Sequence, residues 1–194
     1  MEYLIQPWKH QLEAIERAKN LPYFALFMDP GVGKTSTTIN ILRHKFNDKR
    51  VVLRTLILAP PIVVPQWRDE WIKNSRLDPS RIVLLQGSGK QRLKRLQEHA
   101  YGVGPDGTPE RRGVVLVTNY EALLMPELYD ALLAWAPEAL VVDESHKVKD
   151  SKAKRSKLAE RLANPTPKEM RPRPLVYLLS GSPVLNSPMD LFQQ

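Results

Sequence analysis

Short, continuously apolar segments alternate with longer amphipathic segments along the whole chain, and this alternation limits the possible folds more than any other feature. The apolar segments predict six strands, at residues 23–28, 55–59, 82–86, 114–118, 139–143 and 175–180. The amphipathic segments predict six helices, at residues 8–19, 34–46, 64–74, 89–100, 126–135 and 151–162. Strands that are apolar on both faces are typical of a parallel sheet that is covered on both sides. We therefore predict one α/β domain, with a parallel central sheet and helices on both faces.

The composition excludes several other classes of protein. The 194 residues include no cysteine, so we expect neither a disulfide framework nor a cysteine-built metal site. No apolar run reaches the roughly 18 residues that a membrane span needs, and the N-terminus does not resemble a signal peptide. We expect a cytoplasmic protein that has no membrane partner. Segments rich in glycine and proline predict surface loops at residues 101–113 and 164–174.

The net charge of +8 is unevenly distributed. Residues 51–100 and residues 151–194 each carry a net charge of +5, whereas residues 101–150 carry −5. A basic excess can simply keep a protein soluble, and it can also attract a polyanion such as a nucleic acid. The charge alone leaves both interpretations open.

The strongest motif is MDPGVGKT at residues 28–35, which directly follows a predicted strand and opens a predicted helix. This context is typical of a phosphate-binding loop. Gly31 and Gly33 allow the backbone N–H groups to point at phosphate oxygens, Lys34 would reach the β- and γ-phosphates, and the Thr35 hydroxyl would bind Mg²⁺. The strict form of the motif has glycine where this chain has Met28. The alternative is a glycine-rich turn with no ligand.

A second junction, GSGK at residues 87–90, also lies between a predicted strand and a predicted helix. It is followed by Gln91, which has no hydroxyl group for a metal ion, so we interpret it as a turn that begins a helix. The basic residues here are interpreted as a solvated face: Lys90, Arg92, Lys94 and Arg95.

In the segment ALVVDESH at residues 139–146, two acidic residues directly follow an apolar predicted strand. Carboxylates at the end of an apolar strand are costly unless a cation or a ligand engages them. At the carboxyl edge of a parallel sheet they would face the phosphate loop. Asp143 would then hold Mg²⁺, and Glu144 would orient and deprotonate the water that attacks the γ-phosphate. The alternative is an acidic turn without catalytic function.

Together with DPGVGKT, five further stretches lie in the order found in one family, and one of them begins with DESH. They are WKHQ (8–11), LILAPPIVVPQWRDEW (56–71), VLVTNYEALL (115–124), DESHKVKD (143–150) and YLLSGSPVLNSPMDLF (177–192). The chain resembles the first RecA-like domain of superfamily 2 helicases and translocases, in the Swi/Snf-like branch, which includes phage and bacterial members. The resemblance covers nearly the whole chain. It departs from the commoner family pattern in DESH for DEAH, and in SGSP for TGTP.

The resemblance implies a RecA-like P-loop domain that uses ATP and Mg²⁺, with Lys34 and Glu144 as catalytic residues and Thr35 and Asp143 as metal ligands. The implied nucleotide-binding residues are Gln11, which reads adenine, with Pro30, Gly31, Val32, Gly33, Lys34, Thr35 and Ser36. The implied DNA contacts are Pro60, Gln66, Trp67, Thr118, Asn119 and Tyr120. Two alternatives stay open: Trp67 as a core residue, and Pro60 as a residue that simply ends a strand. Residues implied to couple nucleotide state to DNA are His146, Ser180, Gly181 and Ser182.

The family resemblance also implies partners. Double-stranded DNA is the expected nucleic acid, and a second RecA-like domain, which we expect to be missing from residues 1–194, would supply arginines to the nucleotide site. An isolated first domain would hydrolyse ATP poorly. The expected location is the cytoplasm of a bacterium or of a phage-infected cell. Two alternatives remain open: a nucleic-acid-binding module with weak catalysis, and the motor part of a restriction system.

Overall fold

A computed structural model describes residues 2–148, 150, 152–166, 169 and 171–181. Ser182, a predicted coupling residue, and residues 183–194 lie outside the described residues. The same holds for residue 151, where the sixth helix was predicted to begin.

Six parallel strands form the central sheet, in the spatial order β1-β8-β7-β2-β6-β3. They coincide with the six predicted segments and end within two residues of the predicted bounds. Their bounds are β1 Tyr23–Phe27, β2 Thr55–Leu58, β3 Ile82–Leu84, β6 Val115–Thr118, β7 Ala139–Asp143 and β8 Leu175–Ser180. The central strands β2, β6 and β7 are buried at every position, as their unbroken apolar sequences predict.

Helices connect the strands and cover both faces of the sheet. Their bounds are α1 Lys9–Ala18, α2 Lys34–Lys49, α3 Val64–Asn74, α4 Gly89–Ala100, α5 Pro126–Trp135 and α6 Lys154–Ala163. One apolar core contains α1, α2 and α3 residues such as Ile15, Ile39 and Trp67. The other contains α4, α5 and α6 residues such as Leu96 and Leu132. The prediction of a parallel sheet between two helical layers is therefore confirmed. In the described part of the chain, no helix combines the length and apolar character that a bilayer crossing needs.

Residues 101–113 form more structure than the predicted loop. A small antiparallel hairpin pairs β4 (Tyr101–Val103) with β5 (Pro109–Arg111). The two strands are short, β5 is fully exposed, and their sequence has no apolar alternation. The segment lies on the surface as predicted, but its internal strand pairing was missed because the hairpin is held by local pairing and not by burial of an apolar face.

Candidate nucleotide-binding site

The phosphate loop, the acidic pair and the start of the coupling segment meet at the carboxyl edge of the sheet. Strand β8 lies between β1, which leads into the loop, and β7, which ends at Asp143. The Met28 N–H donates to the Ser180 carbonyl at 3.2 Å and extends the β1–β8 ladder by one residue. Ligands of open parallel sheets collect at this edge. The topology thus brings together three segments that are far apart in sequence.

The phosphate loop adopts backbone angles that require glycine. Gly31 has φ +81° and Gly33 has φ +87°. A Cβ atom at Gly33 would lie 2.2 Å from the Gln11 Nε2 atom, so a side chain has no room there. Gly33 also immediately precedes α2, whose N-terminus and free N–H groups therefore face the loop. This geometry suits an anion such as a phosphate group.

The Lys34 ammonium group folds back over its own loop. Its Nζ atom donates to the Met28 carbonyl at 2.9 Å and to the Asp29 carbonyl at 3.1 Å. A Cβ atom built on Gly181, just after β8, would lie 3.6 Å from the same nitrogen. A bound phosphate would supply oxygens in place of the two carbonyls, and so the cation is held where the predicted role needs it.

The predicted adenine-reading segment ties α1 to the phosphate loop. Gln11 Nε2 donates to the Val32 carbonyl at 3.0 Å, and Gln11 Oε1 accepts the Trp8 N–H at 2.9 Å. The His10 ring contacts the same Val32 carbonyl at 3.1 Å. Gln11 therefore supports the loop from helix α1, although it lies 21 residues before Val32 in sequence. Its contact with adenine stays a prediction.

Asp143 is a buried carboxylate with a specific donor. It is 6% exposed, and its Oδ2 atom accepts the Trp67 indole N–H at 2.9 Å. The Tyr120 hydroxyl donates to the Asp143 backbone carbonyl. Burial raises the pKa of Asp143 above its ordinary value, although the Trp67 hydrogen bond acts in the opposite direction. A cation at this carboxylate would favour its charged form.

The donor set here fits Mg²⁺. Among the described residues, no three His, Cys, Asp or Glu side chains cluster in a way that could hold a metal ion. Mg²⁺ is usually bound by one or two protein oxygens together with substrate phosphates and water, and it needs no cage made wholly of protein. Thr35, at the start of α2, and Asp143, at the end of β7, would supply those oxygens.

Glu144 has a strained backbone, and its side chain contacts His146. Its φ of +54° lies in the left-handed region that residues other than glycine seldom adopt, and such outliers cluster at functional sites. Glu144 Oε2 lies 3.2 Å from His146 Nδ1, and the same nitrogen lies 3.4 Å from Ser180 Oγ. His146 thus joins the proposed base to the end of β8. The described members of the predicted coupling set lie close to one another and to the phosphate loop.

The predicted DNA contacts divide into accessible and inaccessible side chains. Trp67 and Thr118 are fully buried and Tyr120 is 2% exposed, so direct DNA contact through these side chains was a wrong prediction. Trp67 and Tyr120 bind Asp143, and the Thr118 hydroxyl donates to the Leu85 carbonyl. The other three side chains are exposed or half-buried and stay predictions: Gln66, Pro60 and Asn119.

The predicted position of Arg92 was wrong. Arg92 is 9% exposed, whereas the prediction put it on a solvated face with its basic neighbours. Its guanidinium donates to Asn119 Oδ1 at 2.6 Å, to Thr118 Oγ1 at 3.2 Å and to the Gly87 carbonyl at 2.8 Å. Thr118 ends β6, and Gly87 and Asn119 lie in the turns after β3 and β6, so a local pattern could not reveal these acceptors.

Comparison with known proteins adds evidence of ancestry. Residues 15–193 match the family described as SNF2-related domain. The chain is 30% identical over 162 residues to "Chromodomain-helicase-DNA-binding protein 1-like" of Danio rerio. This alignment covers 84% of this chain and 14% of that protein. The chain is 28% identical over 165 residues to "Probable ATP-dependent DNA helicase CHR12" of Arabidopsis thaliana, with 84% and 13% covered. The chain thus spans a small part of the length of these relatives.

Two solved structures share the fold. The Sulfolobus solfataricus SWI2/SNF2 ATPase core, solved in complex with dsDNA, matches with a TM-score of 0.69 and 20% identity over 98% of this chain and 36% of that one. The Pyrococcus furiosus Hef helicase domain matches with a TM-score of 0.68 and 21% identity, covering 98% and 35%. The predicted RecA-like fold is confirmed.

Proposed function

Because the chain belongs to the SNF2-related domain family, within the Swi/Snf-like branch of superfamily 2, we propose that it is the ATP-binding motor domain of a DNA translocase. The observation that carries this proposal is the meeting of the phosphate loop with Asp143 and Glu144 at one edge of the sheet. A phosphate-binding loop alone would support nucleotide binding. The adjacent acids support hydrolysis as well.

In the proposed site, backbone N–H groups of the loop and the N-terminus of α2 bind the phosphates of ATP. Lys34 exchanges its two loop carbonyls for phosphate oxygens. Thr35 and Asp143 hold Mg²⁺, which when bound offsets the negative charge of the phosphates. Trp67 fixes the orientation of the Asp143 carboxylate through its indole N–H.

Glu144 is the proposed general base. Its carboxylate is half-exposed, so water has access to it, and His146 holds it at 3.2 Å. Because His146 also contacts Ser180, a change in the phosphates near Glu144 would be passed to the end of β8. We propose that this link couples hydrolysis to the grip on DNA.

The proposed substrate track is the backbone of duplex DNA, which Gln66 and Asn119 would contact. The DNA-bound SWI2/SNF2 core with the same fold supports this choice of partner. We also propose that a second RecA-like domain supplies arginines to the γ-phosphate, as in related nucleotide hydrolysis, where such arginines contribute about 10³- to 10⁵-fold.

The test is Glu144→Gln in the full-length enzyme. The amide keeps the size of the side chain but cannot accept the proton of the attacking water. We expect ATP affinity to change by less than about threefold, while DNA-stimulated ATP turnover falls by at least about 100-fold. Glu110→Gln removes the same charge from the exposed strand β5 and should leave both quantities unchanged. Undiminished turnover in Glu144→Gln would show that Glu144 is not the base.

A further inference from the structure

A cleft of about 580 Å³ opens at the edge of the sheet opposite to the phosphate loop. It lies between the C-terminal ends of α2 and α3, beside Val51 and Val52, which lead into β2. We call it the amino-edge cleft. Its lining includes three arginines, Arg43, Arg50 and Arg76, and the single acidic residue Glu2. Its size is that of a site for a small ligand or a short peptide.

Two of the arginines already bind Glu2 of the chain itself. The Arg76 guanidinium donates to the Glu2 carboxylate at 3.0 Å, and the Arg43 guanidinium donates to the Glu2 backbone carbonyl at 2.8 Å. Burial lowers the pKa of Arg43, and the charge of Arg76 lowers it further, so the two cations lie close enough to repel each other. A second carboxylate would relieve this repulsion.

Arg50 leaves positive charge uncompensated in the cleft. Among the described residues its guanidinium has no hydrogen-bond or ion-pair partner, although its backbone N–H caps α2 through the Asn47 carbonyl. With three arginines against one glutamate, the lining carries a net charge of +2. Fixed positive charge in a concave, partly apolar site attracts anions more strongly than the same charge on a flat surface.

The carbonyl groups nearby do not offer a site for a cation. The C-terminal ends of α2 and α3 point towards this region, but one carbonyl at each end already accepts hydrogen bonds from the chain itself. The Phe46 carbonyl accepts the Val51 N–H at 3.1 Å, and the Trp71 carbonyl accepts the Ser75 N–H at 3.0 Å and the Ser75 hydroxyl at 2.7 Å. The partial negative charge of the helix ends thus offsets only part of the guanidinium charge.

The floor of the cleft is apolar and aromatic. Trp71 is fully buried and stacks on Phe46, with ring centroids 5.8 Å apart and planes inclined by 10°. The Trp71 Nε1–H is buried and has no hydrogen-bond partner in the described part of the chain. Because Trp71 has no exposed surface and Phe46 is 9% exposed, the apolar side chains that a ligand can reach are Val51, Val52 and Leu77. The lining therefore favours a ligand with an apolar group.

We propose that the amino-edge cleft binds an acidic peptide segment that carries one apolar anchor residue. Its carboxylates pair with Arg50 and with the neighbouring arginines, and its anchor packs on the accessible apolar side chains of the lining, Val51, Val52 and Leu77. A DNA backbone offers phosphates but no apolar group for this floor. The cleft is remote from the nucleotide site, and this proposal holds whether or not the chain hydrolyses ATP.

The test uses the 194-residue chain and a fluorescein-labelled peptide of sequence EEFEE, with EEGEE and KKFKK as probes that lack the anchor or the charge. We expect EEFEE to bind by fluorescence anisotropy and the other two to bind at least tenfold more weakly. Arg50→Glu combined with Arg76→Glu should weaken EEFEE binding at least tenfold. A double variant that reverses two exposed charges of α6, Lys157→Glu with Lys154→Glu, should leave it within twofold.

The indole N–H groups provide a second readout. In ¹H–¹⁵N spectra, the Trp71 indole signal should shift when EEFEE binds, whereas the signal of Trp135, which is also buried and unpaired but belongs to the other core, should not. The proposal is overturned if EEFEE does not bind, if the cleft and α6 variants weaken it equally, or if the cleft variants impair binding of duplex DNA and leave EEFEE binding unchanged.

Discussion

The indole N–H of Trp67 and the carboxylate of Asp143 are both buried, and each is the other's hydrogen-bond partner at 2.9 Å. The contact joins helix α3 to the end of β7 across 76 residues of sequence. Burial raises the pKa of Asp143, and the Trp67 N–H aimed at Oδ2 opposes that shift and fixes the orientation of the carboxylate. We infer that Trp67 is a positioning residue for the proposed metal site.

This inference gives a prediction for Trp67→Phe, which keeps an aromatic ring but removes the N–H. Supporting contacts around metal ligands are typically worth 10- to 100-fold in metal affinity, so the Mg²⁺ concentration at half-maximal ATP binding should rise about tenfold. Trp71→Phe is the matched control, since Trp71 lies one turn later on α3, is equally buried and has no acceptor. It should leave the Mg²⁺ requirement unchanged. Equal shifts in both variants would show a packing effect only.

Local geometry was predictable where the signal is local. The turn between β1 and α2 could be placed because two glycines and a Lys-Thr pair follow each other directly between a strand and a helix, and its role as a phosphate loop stays a prediction. The roles of Trp67 and Gln11 could not be predicted, because each depends on a partner distant in sequence, Asp143 or Val32. A tryptophan on an amphipathic helix has the same pattern whether its N–H meets DNA, a carboxylate or nothing.

At the scale of elements, α4 is attached to the turn after β6 by one side chain. Arg92 has three acceptors, in the turn after β3, at the end of β6 and in the turn after β6, and the last of these is the Asn119 side chain, a predicted DNA contact. A charged group buried in this way is retained only when its donors are paired. Arg92 therefore holds the two turns in a fixed relation.

We predict that Arg92→Met destabilises the fold by about 1–3 kcal/mol, because it leaves buried acceptors without a donor. It should also weaken binding of duplex DNA several-fold, since Asn119 loses its support. Thermal melting and a DNA-binding titration measure the two effects. Lys94→Met is the control, because the exposed Lys94 has only a 3.7 Å ion pair with Glu98. If DNA binding is lost to the same extent in both variants, charge and not position explains the effect.

Elements were predictable to within a few residues because strand and helix periods differ clearly in this chain. All six sheet strands and all six helices lie where the pattern places them. The β4–β5 hairpin was missed, since three-residue strands on the surface leave no periodic trace. The GSGK junction was interpreted correctly. Ser88 and Gln91 cap α4 with their own side chains, and Gln91 occupies the space beside Gly87.

For the whole molecule, the two edges of the sheet have different chemistry. The carboxyl edge brings together the predicted phosphate loop, Asp143 and Glu144. The two acids belong to residues 101–150, which carry a net charge of −5. The amino edge carries the arginines of the amino-edge cleft. The order β1-β8-β7 is what places the loop beside the acids, and this adjacency was expected from parallel pairing.

The most direct test of the nucleotide site is Mg²⁺-dependent binding of a fluorescent ATP analogue to the 194-residue chain and to Lys34→Ala and Lys90→Ala. Both lysines open a helix after a glycine-containing turn, but only Lys34 lies beside the acids at the end of β7. We predict saturable binding that Lys34→Ala weakens by at least about 100-fold and that Lys90→Ala leaves within twofold. Equal affinity of the chain and Lys34→Ala, or no saturable binding at all, would contradict the assignment of this edge as an ATP site.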